Sequence, residues 1–435
     1  MRVDLTQAKA CATYSVDTRT LQPGDVFFAL RGPNHDGNQY IAEALARGAS
    51  KVIAEQPAPG PVIVVPDTLK ALQQFASEAR ERWDGDVIAI TGSAGKTSTK
   101  DVIAALLATA MPVGKTEGNF NNHVGLPLSV LRLPEDARVA VLEIGMNHAG
   151  EIRELAKIAR PRIAVVTNVG YAHIEGFESI EEIASAKREL VEALPPDGIA
   201  VLNADDARVL EFRNTHPGPV VTYGLSEIAD IRAIDVEYLP DGGARFRVGD
   251  TAFETSLTGR HGILNILAGI AVAGLYGIGP ERLRSAVRDL KPGKMRGERI
   301  RLNGMTIFND CYNSNPDAAR AMLDVLRDTP ARRRIAVLGE MLELGRWSEC
   351  LHRGVGSYAV ESGISVLVGI RGAAREMVDG AIEAGFNSGA AFFFEDPVPA
   401  GDQVRQIARE GDAILFKGSR GTQVERALER FLASP

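Results

Sequence analysis

The 435-residue chain lacks the features of membrane, disulfide-rich and nucleic-acid-binding proteins. Its richest apolar stretches fall short of the roughly 20 residues that a membrane-spanning helix needs, and residues 1–15 have no apolar core typical of a signal peptide. Its cysteines, Cys11, Cys311 and Cys350, are odd in number and form no Cys-x-x-Cys pair, which favours reduced thiols. A formal net charge of -7 offers no basic footprint for nucleic acid. We therefore expect a cytoplasmic protein with no membrane span and no nucleic-acid partner.

What the chain does contain is the composition of an ordinary globular protein, with 45% hydrophobic and 24% charged residues. Its length suits roughly three domains of about 150 residues each. Short apolar runs alternate with helical stretches, which predicts an α/β fold with a small unit over residues 1–84, a central unit over 85–293 and a C-terminal unit over 294–435. In the two larger units we expect mostly parallel sheets covered on both faces by helices.

Apolar runs bounded by turn residues mark the predicted strands. They lie at residues 26–30, 51–54 and 62–65 in the first unit, 86–91, 139–143, 162–167 and 198–203 in the second, and 305–309, 334–339, 365–369, 391–395 and 413–417 in the third. The helix after the strand at 86–91 should bury one face, made of Val102, Ile103, Leu106, Leu107 and Ala110. Because ligands of open α/β sheets sit beyond the carboxyl ends of the strands, polar residues at those ends are candidate site residues.

A glycine-rich loop between a strand and a helix predicts a phosphate site. Its residues are Gly92, Ser93, Ala94, Gly95, Lys96, Thr97 and Ser98. Backbone N–H groups and the helix dipole attract phosphate, Lys96 reaches the outer phosphates, and Thr97 can bind Mg²⁺. Ile90 stands where a standard Walker A loop begins with glycine, so this is a shortened variant. The alternative is a plain turn with a solvated lysine; the strand–loop–helix context favours a nucleotide, and the absence of an Asn-Lys-x-Asp motif favours ATP over GTP.

Two residues at strand ends of the central unit are candidate metal ligands. Glu143 ends the predicted strand 139–143, where its carboxylate would either bind Mg²⁺ beside the phosphates or cap the next helix. His173 lies in the loop after the strand 162–167, where it would either bind a second metal ion or be solvated. The residues alone leave both pairs of alternatives open.

Lys187 falls on an apolar helix face. The face is made by residues at three- and four-residue spacing, namely Ile180, Ile183, Ala184, Leu190, Val191 and Leu194. A lysine in this position either extends its ammonium to solvent or is buried with a lowered pKa, so that the neutral amine can react with carbon dioxide to form a carbamate. The pattern by itself favours the first alternative.

Several further motifs follow one another along nearly the whole chain. They are Asp17-Thr18-Arg19, Pro23-Gly24-Asp25-Val26-Phe27, His35-Asp36-Gly37, Thr116-Glu117-Gly118-Asn119-Phe120-Asn121-Asn122, Gly259-Arg260-His261-Gly262-Ile263-Leu264-Asn265, Asn309-Asp310-Cys311-Tyr312-Asn313-Ser314-Asn315-Pro316, Leu338-Gly339-Glu340-Met341-Leu342-Glu343-Leu344-Gly345 and Lys417-Gly418-Ser419-Arg420. Together with the phosphate loop, they resemble the motifs of the Mur ligase family of bacterial cell-wall synthesis. No single motif is specific, but their number and order are.

This resemblance implies an enzyme and its substrates. The implied reaction is ATP-dependent ligation of D-alanyl-D-alanine to UDP-N-acetylmuramoyl-tripeptide through an acyl phosphate, in peptidoglycan precursor synthesis, with ATP and Mg²⁺ required. The implied architecture is a small UDP-sugar-binding domain, a central P-loop ATPase-like domain and a C-terminal Rossmann-like domain that binds the incoming dipeptide. We expect a monomer.

The resemblance also implies roles for individual residues, and for Lys187 it reverses the preference drawn from the pattern alone. It makes Thr97, Glu143, His173 and a carbamylated Lys187 the metal ligands, with Lys96, Glu143, His173 and Lys187 as the catalytic set. Besides the phosphate loop, the implied ATP contacts are Asn265 at adenine, Arg296, and Asp310 at the ribose. The implied substrate contacts are Thr18, Arg19, Asn121, Asn122, Asn313, Lys417 and Arg420.

Two other functions stay open at this point. The ligase that adds the preceding, third residue of the peptide shares the three-domain plan, but its type usually carries an Asp-Asn-Pro-Arg string, whereas this chain has Asn315-Pro316-Asp317 in a different context. A nucleotide-operated switch without ligase chemistry would also carry the phosphate loop. It would bind or slowly hydrolyse ATP whether or not peptides are present.

Overall fold

The structure is a computed structural model that describes residues 13–32, 35–239 and 242–433, so Cys11 lies outside the described residues. It has three α/β units and confirms the predicted α/β class. Within the three described ranges, no helix combines the length and apolar character that crossing a bilayer requires. Cys311 is buried and Cys350 exposed, and both thiols are free.

The N-terminal unit is a parallel four-stranded sheet with helices against it. Its elements are β1 (Tyr14–Ser15), β2 (Val26–Phe28), α1 (Ile41–Ala46), β3 (Lys51–Ala54), β4 (Val62–Val64) and α2 (Thr68–Arg82), with strand order β1-β2-β3-β4. Successive side chains of β2 point to opposite faces, so Phe27 packs under α1 while Phe28 packs edge-on against Phe75 of α2. The unit thus buries both faces of its sheet.

The central unit holds a seven-stranded, fully parallel sheet in the order β11-β10-β9-β8-β5-β7-β6. Its strands are β5 (Asp86–Thr91), β6 (Val113–Lys115), β7 (Val139–Glu143), β8 (Ile163–Val166), β9 (Ile199–Asn203), β10 (Val220–Gly224) and β11 (Ile231–Arg232). Its helices are α3 (Lys96–Leu107), α4 (Gly125–Leu131), α5 (Glu151–Ala159), α6 (Ile180–Glu192), α7 (Ala207–Glu211), α8 (Gly259–Leu275) and α9 (Pro280–Asp289). The predicted buried face of α3 is right except for Ala110, which is exposed because α3 ends at Leu107.

A small antiparallel sheet that the sequence analysis did not predict extends the central unit. It consists of β12 (Ile234–Tyr238), β13 (Ala244–Val248) and β14 (Thr251–Thr255). Ala244, Phe246 and Val248 are buried while the arginines between them point outward, which is the alternation of a half-buried strand. This sheet adds its apolar face to the core that α8 shares with the main sheet.

The C-terminal unit has a six-stranded sheet in the order β15-β16-β20-β17-β18-β19, parallel except for β15. Its strands are β15 (Glu298–Leu302), β16 (Met305–Asp310), β17 (Arg333–Gly339), β18 (Val366–Ile370), β19 (Ala391–Phe394) and β20 (Asp412–Lys417). Its helices are α10 (Pro316–Asp328), α11 (Ser348–Glu361), α12 (Ala374–Glu383), α13 (Pro397–Ile407) and α14 (Glu425–Leu432). Asn315 caps α10 by accepting from the Ala318 N–H, with Pro316 as the first helical residue.

Close packing of α11 on α12 gives a test of the C-terminal fold. A methyl group added at Gly356 would lie 1.9 Å from the Met377 carbonyl oxygen, whereas one added at Gly354 would meet only the end of the Arg320 side chain at 3.3 Å. We expect Gly356→Ala to lower the free energy of unfolding by about 1–3 kcal/mol or more. Gly354→Ala, on the same helix, should leave it unchanged or raise it by up to about 1 kcal/mol. Urea unfolding of both variants measures this, and equal effects would contradict the observed helix contact.

Candidate active site

The phosphate loop is held in shape by the segment that follows β8. Asn168 clamps the loop by accepting from the Ala94 N–H (2.8 Å) and donating to the Ala94 carbonyl oxygen (3.0 Å). The Ser93 hydroxyl makes 2.8 Å hydrogen bonds to both the carbonyl oxygen and the N–H of Gly170. Gly95 takes a φ of +81° and leads into α3, so the first N–H groups of the helix are aimed at the loop.

Lys96 opens α3 and lines the cavity described below. Its Nζ donates to the Gly92 carbonyl oxygen at 2.7 Å, and burial lowers the pKa of this ammonium. A phosphate in the loop would supply the negative charge that the ammonium otherwise lacks at short range. Lys96 thus lies at the phosphate loop, and its role in binding phosphate stays a prediction.

Glu143 ends β7 and is almost completely buried, with 2% of its surface exposed. Its two carboxylate oxygens accept hydrogen bonds from the Thr97 hydroxyl (2.8 Å) and the Asn121 amide (2.7 Å). Neither donor belongs to the helix that follows, so the alternative prediction that Glu143 caps that helix is wrong. The carboxylate lies beside the phosphate loop instead.

His173 lies at the contact between the central and C-terminal units. Its Nδ1 atom is 2.7 Å from a carboxylate oxygen of Glu343, which follows β17. This contact lowers the pKa of the Glu343 carboxyl. Since Nδ1 is buried, the alternative of a freely solvated loop histidine is wrong.

Lys187 is buried in α6 with 1% of its surface exposed. Burial, with a smaller contribution from the nearby Lys96 charge, holds the pKa of the Lys187 amine well below the ordinary lysine value. Within residues 13–32, 35–239 and 242–433, its amine makes no hydrogen bond and no ion pair. The side chain therefore does not extend to solvent, and its burial disfavours the charged form of the amine.

Two residues predicted to contact ATP lie beside the phosphate loop: Asn265 of the central unit, and Arg296 in the segment between α9 and β15. Arg296 donates to the Thr97 hydroxyl oxygen at 3.2 Å, and its guanidinium lies 3.8 Å from the centre of the Tyr312 ring. Asn265 of α8 accepts from the Thr99 hydroxyl at 2.9 Å. Both residues therefore sit within reach of a nucleotide whose phosphates occupy the loop.

The C-terminal unit contributes its own polar groups to the same place. Lys417, at the end of β20, donates to the Asp310 carboxylate (2.6 Å) and to the Asn313 carbonyl oxygen (2.9 Å). The Arg420 guanidinium lies near the edge of the cavity and pairs with Glu425 at 2.7 Å. The carboxyl ends of β16 and β20 thus face the phosphate loop.

These groups line one cavity of about 770 Å³, a size typical of a substrate site. It is lined by sixteen of the predicted site residues, namely Ser93, Ala94, Gly95, Lys96, Thr97, Ser98, Asn121, Asn122, Glu143, His173, Asn265, Arg296, Asp310, Asn313, Lys417 and Arg420. Four predicted residues do not line it: Gly92 and Lys187 lie behind the lining, and Thr18 and Arg19 lie in the N-terminal unit. Arg19 pairs there with Asp17 at 2.6 Å. A second cavity of about 460 Å³ shares Ser98, His261, Asn265 and Arg296 with the first.

Among the lining residues to which the sequence analysis assigned no role, three contact predicted site residues. Asn168 holds the phosphate loop, Tyr312 supports Arg296, and Glu343 contacts His173. Each follows closely on a strand end, and that position is the signal that could have identified them. Their partners are distant in sequence, so only the folded structure identifies the contacts.

Three family models match the chain in order. They are the Mur ligase family catalytic domain over residues 12–80, the Mur ligase middle domain over residues 90–273, and the Mur ligase glutamate ligase domain over residues 295–420. Each match covers most of one of the three units. The order of the matches is the order of the units along the chain.

Relatives and solved structures match over nearly the full length. A UDP-N-acetylmuramoyl-tripeptide–D-alanyl-D-alanine ligase of Bacillus subtilis is 35% identical, with 97% of this chain and 93% of the relative covered. MurF from Acinetobacter baumannii superposes with a TM-score of 0.87 at 29% identity, covering 96% of this chain and 92% of that one. MurF ligase from Thermotoga maritima in complex with ADP gives 0.85 at 30% identity, covering 97% of both chains. On this evidence, the chain belongs to the Mur ligase family.

Proposed function

We propose that the chain is an ATP-dependent ligase that joins D-alanyl-D-alanine to UDP-N-acetylmuramoyl-tripeptide, giving UDP-N-acetylmuramoyl-pentapeptide, ADP and phosphate in peptidoglycan precursor synthesis. The observation that carries the proposal is the single cavity in which the phosphate loop, Glu143 and the strand ends of the C-terminal unit face one another. The Bacillus subtilis relative carries this activity in its name at 35% identity over the whole length. The ADP complex of the Thermotoga maritima relative supports the use of ATP.

The reaction must activate a carboxylate, because a carboxylate is a poor acyl donor. A carboxylate oxygen of the tripeptide attacks the γ-phosphorus of ATP, the bond to ADP breaks, and an acyl phosphate forms. The amine of D-alanyl-D-alanine then attacks the acyl carbon, loses a proton, and phosphate leaves with the former carboxylate oxygen. The product contains one new amide bond.

In this proposal the central unit stabilises the charge that moves during phosphoryl transfer. Lys96 and the backbone N–H groups of the loop would hold the phosphates, and Arg296 would approach them from the edge of the cavity. Asn265 would meet adenine, for which the second cavity beside it provides room. Asp310 would face the ribose from the C-terminal unit.

The substrates would enter from the two flanking units. We assign the UDP end to the N-terminal unit at Thr18 and Arg19, and the tripeptide to Asn121 and Asn122 on the way to the phosphate loop. The dipeptide would meet Asn313, Lys417 and Arg420 at the strand ends of the C-terminal unit. Domains over residues 1–84, 85–293 and 294–435, a monomeric state and a cytoplasmic location complete the proposal.

The residues present fit Mg²⁺ beside the phosphate loop. The Thr97 hydroxyl and the Glu143 carboxylate are oxygen ligands of the kind Mg²⁺ prefers, and they lie 2.8 Å apart. The two groups hydrogen-bonded to the Glu143 carboxylate, from Thr97 and Asn121, are uncharged, so the carboxylate charge remains available to a cation. When bound, Mg²⁺ would neutralise charge on the transferring phosphoryl group. His173 and a carbamylated Lys187 would complete the ligand set.

Phosphate release with each substrate omitted in turn tests the proposed function. With ATP and Mg²⁺ present, release should require both UDP-muramoyl-tripeptide and D-alanyl-D-alanine, and mass spectrometry should show the pentapeptide. Lys96→Met should slow release by about 10²–10³-fold, because it removes a charge from the phosphate site. Lys157→Met, at an exposed lysine that pairs with Glu154, is the control and should change nothing.

Two results would contradict this function in different ways. Release that ignores the dipeptide would indicate a nucleotide switch. Release that instead requires a UDP-linked dipeptide and a single amino acid would indicate the ligase that acts one step earlier.

In the proposed function Lys187 carries a carbamate, and its burial favours this. The lowered pKa means that the amine loses its proton at a lower pH than an exposed lysine does, which favours its reaction with carbon dioxide. With ¹³C-labelled bicarbonate, NMR should show one carbamate carbon signal that Lys187→Met abolishes and Lys157→Met preserves. Removal of carbon dioxide should lower the ligation rate at least about tenfold, reversibly, because a metal ligand is lost. A wild-type spectrum without the signal, and a rate insensitive to bicarbonate, would refute the carbamate.

A further inference from the structure

Two loop segments from different units meet at the edge of the cavity. Residues 173–178 belong to the central unit, and residues 343–346 belong to the C-terminal unit. The Glu175 N–H donates to the Glu343 carbonyl oxygen at 3.1 Å, and the Arg346 guanidinium pairs with the Glu178 carboxylate. The backbone of Gly345 packs against the Glu175 side chain. These contacts dock the two segments without any contribution from the Glu343 side chain.

That side chain makes a separate contact, to His173. The Glu343 carboxylate oxygen lies 2.7 Å from His173 Nδ1, which is buried, but off the direction of an aligned hydrogen bond. Both residues have a left-handed backbone, with φ of +64° for Glu343 and +62° for His173. Non-glycine residues adopt this conformation at a cost, and such strained residues concentrate at functional sites. The fold therefore holds these two side chains together at the expense of backbone strain.

A carboxylate at Nδ1 determines what the other ring nitrogen can do. When Nδ1 carries the proton and faces a carboxylate, the lone pair of the neutral imidazole is on Nε2. Histidine ligands of metal ions commonly have such a carboxylate partner, which fixes both the tautomer and the ring orientation. Contacts of this kind are often poorly aligned in ligand-free enzymes and tighten when the site is filled. In this tautomer the lone pair on Nε2 of His173 would be the one that binds a metal ion.

We propose that Glu343 is a positioning residue for His173, and that it links completion of the metal site to docking of the C-terminal unit. The histidine comes from the central unit and the carboxylate from the C-terminal unit, so the pair exists only when the two are docked. The inference rests on the proposed function, in which His173 binds metal. In addition, the C-terminal unit, which is proposed to bind the dipeptide, orients the metal ligand His173 through Glu343.

The histidine tautomer tests this without any metal or turnover. The chain has seven histidines, and the ¹⁵N and ¹H signals of the His173 ring are those missing from the spectrum of His173→Gln. At a pH above the titration range of histidine, wild-type His173 should be the Nδ1–H tautomer. Glu343→Ala should shift it toward the Nε2–H tautomer, which is the favoured form in water. Glu343→Gln, whose carbonyl oxygen can still accept, should largely preserve the wild-type tautomer.

Glu178→Ala is the matched control, because it removes the other side-chain pair between the same two segments. It should leave the His173 tautomer unchanged. A Glu343→Ala spectrum identical to wild type would overturn the proposal. An equal shift in Glu178→Ala would also overturn it, since loss of docking alone would then explain the result. Glu343 is exposed enough, with 54% of its side chain accessible, that its substitution should leave the fold intact.

Mn²⁺ alone, as a paramagnetic probe, separates this inference from the proposed function. In the wild type, Mn²⁺ should broaden the His173 signals, and Glu343→Ala should raise the Mn²⁺ concentration needed by about 10- to 100-fold. Equal broadening in wild type and Glu343→Ala would overturn the inference alone. No broadening of His173 in the wild type would remove its ligand role from the proposed function, and this inference would fail with it.

Discussion

The Thr97 hydroxyl holds together the parts of the chain on which the site depends. It donates to Glu143 at the end of β7 and accepts from Arg296, which lies at the start of the C-terminal unit. Thr97 itself belongs to the first turn of α3, where the helix N-terminus faces the phosphate loop. One hydroxyl therefore fixes the distance between a phosphate-binding helix end, a buried carboxylate and the neighbouring unit.

This arrangement follows from parallel strand pairing. Because β5, β7 and β8 run in the same direction, their carboxyl ends meet at one edge of the sheet, and the residues after them share a small volume. The phosphate loop, Glu143 and Asn168 each follow one of these strands or end it. In the C-terminal sheet, β16 and β20 are also parallel neighbours, so their carboxyl ends lie together. The carboxyl-end edges of the central and C-terminal sheets face each other across the cavity.

The sequence predicted most of what is local. The bounds of β5 and β7 are as predicted, because buried parallel strands read as short apolar runs between turn residues. Asn315 caps α10 and Pro316 is its first residue, and both residue types are favoured at these positions. The strands β12 to β14 were missed, although β13 alternates clearly, because the segment is short and interrupts the pattern of the larger sheet. The prediction of an α/β class did not depend on this small antiparallel sheet.

What the sequence could not predict is contact between distant parts of the chain. Arg296 and Thr97 are 199 residues apart, and nothing in either segment indicates the other. The family resemblance suggested Arg296, but the Glu343 contact to His173 emerged only from the docked units. The environment of Lys187 could not be predicted from the sequence either. Its helical spacing was compatible with an ammonium in solvent or a buried amine, and only packing against the rest of the central unit decides for burial.

In the proposed reaction, this cavity activates a peptide carboxylate by phosphorylating it. The most direct measurement uses UDP-muramoyl-tripeptide with both oxygens of the reacting carboxylate labelled with ¹⁸O, and determines the label in the phosphate released during ligation. Transfer through an acyl phosphate predicts one ¹⁸O in each phosphate and one retained in the new amide. Unlabelled phosphate, formed at the same rate as the pentapeptide, would contradict the account.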